Sequence, residues 1–155
     1  MFRTPLTLFR TLAIAEAVSW TLLIAGLIVR AATGWAPAVT IGGGIHGFVF
    51  LSYGATVILV ALNNRWKAGP TIGALISAIV PYATIPAEIL LHKRGLLVGQ
   101  WRLEADAASP DARWYDRPLA WFLARPWALF GLIALLVVAL FAVLLLVGPP
   151  GGSKG

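Results

Sequence analysis

Apolar residues fall along this chain in four long runs separated by polar stretches. The runs cover about residues 11–29 (from residue 6 on a generous reading), 40–62, 71–91 and 127–147. Each reaches the roughly 20 residues that a helix needs to cross about 30 Å of hydrocarbon. Helices are required there because the lipid core offers no water to satisfy backbone amides. The fourth run, "WALFGLIALLVVALFAVLLLVG", contains no ionisable group. The third contains Pro81 and Pro86, which predicts a kink or a broken helix. The pattern therefore predicts an all-α fold, an integral membrane helical bundle with four transmembrane helices. Residues 1–95 form a three-helix membrane core and 96–126 a membrane-surface connector. Residues 127–148 form an appended fourth helix, and 149–155 a flexible tail.

The polar stretches refine this picture. Residues 30–39 and 63–70 read as short turns. Residues 92–126 are longer and include "RWYDRPLAWFLARPW", where arginines alternate with Trp114, Tyr115, Trp121 and Phe122. Such rings favour the headgroup layer, so a short amphipathic helix lying along the membrane surface is expected. The first run is longer than the apolar segment of a cleaved signal peptide and contains Glu16, so it reads as a retained span. Arg3, Arg10, Arg65 and Lys67 favour a cytoplasmic N-terminus, while the basic residues of the long connector pull the other way.

Composition agrees with a lipid solvent. The chain has 155 residues, 59% of them hydrophobic and 12% charged. A soluble domain carries about a quarter charged residues. There is no cysteine, which excludes disulfides, thiolate metal sites and cysteine nucleophiles. The net charge of +6 is spread over the flanks of apolar runs, a distribution suited to anionic lipid headgroups and not to nucleic acid.

Glu16, His46 and Glu88 are the ionisable groups within or near the spans. A lone charge in hydrocarbon costs several kcal/mol, so such groups turn inward and find partners. Ser19 lies three residues beyond Glu16, and Tyr53 seven beyond His46, on shared helix faces. Gly43 and Gly47 form a GxxxG pair continued by Gly54, a stripe that predicts close helix packing. In an antiparallel hairpin Glu16 lies about 15 Å from one membrane face and His46 about 10 Å from the other, at 1.5 Å per residue. In a core about 30 Å thick their depths then differ by only about 5 Å, within side-chain reach. The pair could be a static hydrogen-bonded lock or could handle a proton, since imidazole titrates near neutrality. Glu88 and His92, four apart, could pair on one face beside Lys93 and Arg94. Thr84, in "PYATIP", lies where proline frees a carbonyl. His46 and His92 fall at different depths and do not make a metal or haem site, and no nucleophile–base–acid pattern is present. No catalytic residue, metal or cofactor is expected.

The same residues carry a resemblance. "TLAIAEAVSWTLLIAGLIVR", then "GGGIHGFVFLSYGATVILV" and "NNRWKAG", resemble the domain-of-unknown-function family numbered 3817, small bacterial integral membrane proteins. Glu16 and Ser19 match its first-helix motif. His46, Gly47, Phe50 and Tyr53 match the second, and Pro81 with Thr84 matches the third loosely. The resemblance covers about residues 8–95 and implies a three-helix membrane core. It departs at "PYATIPAEILLHKRG", where the family pattern reads closer to "PFGTF", and in the added fourth span.

The functional expectation is a non-enzymatic accessory or scaffold subunit of the bacterial cytoplasmic membrane. Its partners would be membrane lipid and copies of itself or a larger membrane complex, with no nucleic acid. The alternative is a small proton-coupled transporter using the Glu16–His46 pair. An enzyme acting on lipid or quinone has no support beyond the same pair.

Overall fold

The computed structural model of the chain describes residues 3–104 and 112–147, and the predicted tail at 149–155 lies outside the described residues. All regular elements among the described residues are helical. Helix α1 (Pro5–Thr33) begins where Thr4, in an extended conformation, accepts a hydrogen bond from the Thr7 amide, with Pro5 in the first turn. It ends at Gly34, whose left-handed backbone (φ 74°) lets its amide donate to the Arg30 carbonyl. Helix α2 (Pro37–Asn63) starts only three residues later. The first turn is thus residues 34–36, not 30–39. Apolarity stops at Arg30, but Ala31 and Ala32 are good helix formers, and the chain keeps winding until glycine and proline punctuate it.

The two long helices pack backbone to backbone. A Cβ added at Gly42 would sit 2.7 Å from the Leu22 carbonyl oxygen, and one at Gly26 would sit 2.5 Å from that of Ala38. The predicted stripe of Gly43, Gly47 and Gly54 is therefore displaced. A Cβ at Gly43 would meet only the Leu23 side chain at 3.8 Å, and one at Gly54 only Leu75 at 3.9 Å, while Gly47 is half-buried. The reason is the run of three glycines at 42–44, which offers three adjacent helix phases without marking which of them faces the neighbour.

The third apolar run is broken in two. Helix α3 (Ala68–Ser77) and helix α4 (Thr84–Lys93) flank turns at 78–83. Pro81 has no amide proton, and its ring would collide with the Ser77 carbonyl of a continuous helix. Helix α4 packs on α1, and α3 on α2. Helix α5 (Asp116–Ala124) forms in the connector and leads through Arg125 into α6 (Pro126–Val147), which lies against α2.

Two small apolar cores result. Phe9, Tyr53, Val57, Val60 and Leu97 are wholly buried in the first, under Trp66. Leu59, Leu119 and Leu123 make the second, where α5 covers the end of α2. Outside these, large apolar side chains are exposed along every long helix, among them Ile28, Phe48 and Leu135. The most deeply buried residues include Glu16, Ser19, Asn63 and Thr84. Polar groups inside and apolar groups outside are the reverse of a water-soluble fold. Helices α1 and α2 are long and apolar enough to cross a membrane.

Gly42→Ala is expected to force α1 and α2 apart and to destabilise the detergent-solubilised protein by about 1–3 kcal/mol, the usual cost of overpacking. Gly44→Ala, where an added Cβ meets nothing within 4 Å, should melt like the wild type or slightly higher. Thermal unfolding of the two variants side by side checks the assignment.

Candidate functional site

Along α1 the inward positions are Phe9, Ala13, Glu16 and Ser19, at steps of four, three and three that keep one helix face. The α1–α2 contact at Gly42 sets the register, and His46 on the next turn of α2 then faces Ser19. The Ser19 hydroxyl lies 2.9 Å from His46 Nδ1, 3.1 Å from Glu16 Oε2 and 2.9 Å from the Glu16 carbonyl oxygen. Glu16 Oε1 is 3.7 Å from the same ring nitrogen. The carboxyl is wholly buried, the imidazole retains 13% exposure, and Glu16 Oε1 has no hydrogen-bond partner. Trp20 and Phe50 flank the imidazole, with ring centroids 4.4 and 6.0 Å away.

This geometry limits the chemistry. The serine carries one proton. When it donates to the Glu16 carboxylate or carbonyl, Nδ1 must itself carry a proton and donate to Oγ. When Glu16 is protonated, its hydroxyl can donate to Oγ, and Ser19 is then free to donate to a bare Nδ1. The cluster therefore has two self-consistent arrangements that differ by the place of a proton. It is not a hydrolytic triad. There the hydroxyl and the carboxyl occupy opposite ring nitrogens, whereas here both address Nδ1.

A second set of contacts joins α1 to the broken third run. Arg10 donates to Glu88 Oε1 through Nε at 2.9 Å and Nη2 at 2.8 Å. Thr84 Oγ1 donates to the Ala13 carbonyl at 2.9 Å, and Trp20 Nε1 to that of Ala78 at 3.2 Å. Tyr53 lies 3.2 Å from Ser77 Oγ, whose own proton goes to the Ala74 carbonyl, so the phenol donates. Of the predicted polar residues, Glu16, Ser19 and His46 thus form one cluster, while Tyr53, Thr84 and Glu88 make separate helix-to-helix links. The expected Glu88–His92 pair does not form. His92 is exposed, and Glu88 turns to Arg10 because α4 packs on α1.

Several polar anchors escaped the pattern reading. Asn63 accepts from the Arg102 amide and donates to the Gln100 carbonyl. Asn64 and Trp66 both donate to the Leu96 carbonyl at 2.7 Å. The signal was the run "NNRW" directly after an apolar span, since amides there can serve a neighbouring loop's backbone. Arg65, at φ 57°, reaches Asp116 Oδ2 at 2.6 Å and so ties α5 to the end of α2. Desolvation works against the Arg65 charge, but the Asp116 carboxylate outweighs it and lifts the guanidinium above its usual value. For Asp116 desolvation pulls upward, and the Arg113 amide together with Arg65 holds the carboxyl below its ordinary 3.8. Among the described residues no group of three or more histidine, aspartate or glutamate side chains is placed to hold a metal ion.

A carboxyl held low in the folded state adds stability that is present above the unfolded value and lost as pH falls through the folded one. The melting-temperature gap between wild type and Asp116→Asn should therefore stay constant from pH 8 to about 5 and close below pH 3.8. A gap that grew on acidification would contradict the pair.

Among known proteins, a family model described as "Domain of unknown function (DUF3817)" matches residues 6–93. A Streptomyces coelicolor protein named only as a membrane protein is 36% identical over 95 residues, a stretch that takes in 57% of this chain and 11% of that relative. The chain thus spans about a tenth of the length of the relative it matches. No solved structure matches. The matched segment holds Glu16, Ser19 and His46 as well as the Arg10–Glu88 pair, and leaves α5 and α6 outside it. With more than half of its length accounted for in this way, the chain belongs to the DUF3817 family.

Proposed function

We propose that the chain is a multi-pass protein of the bacterial cytoplasmic membrane that works as a non-enzymatic accessory or scaffold subunit of a larger membrane assembly. In this reading α1, α2, the broken pair α3–α4 and α6 make four spans, and α5 lies at the headgroup layer. One observation carries the reading. The interior polar groups of α1, α2 and α4 are largely engaged with one another, while the outward faces of α1 and α2 present Ile14, Val18, Ile41, Ile45 and Phe48 uncovered by this chain. The S. coelicolor relative also supports it, since there the matching stretch is a small part of a far longer chain.

A second reading is a proton-coupled transporter, favoured by the unpartnered Glu16 Oε1 and its 3.7 Å separation from His46. One pair of variants divides the two. Gln at position 46 can still hydrogen-bond Ser19, and Gln at position 16 can still accept from it. As a scaffold, His46→Gln and Glu16→Gln should each melt within about 1.5 kcal/mol of wild type, the net value of a hydrogen bond. Both should also co-purify with the same native complex. In proteoliposomes neither variant should alter a pH-driven flux. Loss of such a flux in both variants, with folding intact and no co-purifying partner, would replace the scaffold reading with the transport one.

A further inference from the structure

Helix α5 has two faces with different environments. Leu119, Ala120 and Leu123 are buried, and the two leucines pack against Leu59 of α2. At the start of the helix the Asp116 carboxylate accepts from Arg65 and from the Arg113 amide. A surface-lying amphipathic helix ordinarily holds a bilayer by laying its apolar face into the acyl layer. Here that face is taken up by the protein's own core. Any hold of α5 on the bilayer therefore falls to its opposite side.

The opposite side carries Arg117 and Trp121, four residues apart and both exposed. Arg125, where the helix ends, sets its guanidinium over the Trp121 ring at 4.6 Å. Phe122 meets the same ring edge-on, with centroids 4.9 Å apart, so the indole is held in place. Trp114 before the helix is 89% exposed, Trp127 after it 88%, and Trp121 itself 48%. Such rings, apolar in body and polar at the N–H edge, belong to the headgroup layer. The acid of this helix does not offset the two cations, because Asp116 is largely buried on the inner side with Arg65.

We infer that the outward face of α5, formed by Arg117, Trp121 and Arg125, docks anionic phospholipid headgroups of the surrounding bilayer. Each part of the face fits that partner. Guanidinium groups pair with phosphate oxygens, and net negative headgroups answer two cations with no acid between them. A guanidinium stacked on indole is already partly stripped of water, which suits a layer less polar than bulk solvent. Directly after Arg125 comes α6 (Pro126–Val147), which has no ionisable side chain, so the arginine–tryptophan face stands where an apolar helix begins. The inference rests on the membrane placement of α5 and α6 proposed above and not on the scaffold role.

The chain has no cysteine, so a single introduced thiol takes a fluorophore alone. Ala124→Cys puts it at the exposed end of α5, and Phe48→Cys on the outward face of α2. The full-length protein is reconstituted in mixed phosphatidylcholine and phosphatidylglycerol vesicles. An equal, small share of one lipid or the other carries a nitroxide on its acyl chain. At position 124 labelled phosphatidylglycerol should quench at least about threefold more than labelled phosphatidylcholine at low salt. The ratio should fall to about one in about 1 M salt, where screening leaves a reach of about 3 Å. Arg117→Gln combined with Arg125→Gln should bring it to about one at low salt while melting like wild type, whereas the two lysine replacements should keep most of it. Equal quenching by both lipids in the unsubstituted face overturns the inference, and so does a preference that survives the glutamine pair. Quenching by neither lipid, as a protein covering the face would give, overturns it too. The Phe48→Cys label should be quenched alike by both lipids. If neither quenches it, the spanning of α2 fails, and the ratio at position 124 still decides the α5 inference.

Discussion

The contact that sets everything else is the meeting of two bare backbones, α1 at Gly26 and α2 at Gly42. Without Cβ atoms at these points the helices approach closely enough for dispersion to hold them in a solvent that gives no hydrophobic drive to pair. The contact also fixes register. Gly26 lies against Ala38, and Gly42 against Leu22. Further along, Ser19 meets His46 and Phe9 meets Tyr53, as an antiparallel pair requires. A slip of one residue would turn His46 away from Ser19 and Glu16 toward the apolar exterior.

Once that hairpin stands, the break at Pro81 becomes useful. A continuous third helix would keep its carbonyls to itself. Broken, it exposes the Ala78 carbonyl to Trp20 and brings the Thr84 hydroxyl to the Ala13 carbonyl. Helix α1 thus serves as a polar spine: Arg10, Ala13 and Trp20 meet partners at Glu88, Thr84 and Ala78, in the reverse order expected of antiparallel neighbours. Each partner satisfies a group that hydrocarbon could not.

Much of this was legible in the order of residues. Long apolar runs bounded by charge announced helices, and a short polar turn between the first two made their depths comparable. The proximity of Glu16 to His46 follows from that arithmetic alone. Other features were hidden for definite reasons. Three consecutive glycines cannot reveal which one touches the neighbour, so the packing stripe was placed one residue late. Glu88 had a plausible partner one turn away in His92, and nothing local pointed to Arg10, 78 residues earlier in the chain. The end of α1 was misjudged because alanine continues a helix without adding much apolarity. The Arg65–Asp116 pair joins a turn to a connector, and the spacing of turns carries no periodic signal.

The turn at Gly34, Trp35 and Ala36 has a consequence for biogenesis. Three residues reach only about 10 Å when fully extended. In the multi-pass reading proposed above, the two long helices therefore cross the bilayer as one hairpin, and neither can be threaded far ahead of the other. Passage as a hairpin presents the carboxyl of the first leg to the imidazole of the second during insertion. The chain is thereby favoured to shield its most expensive group before any later helix is synthesised.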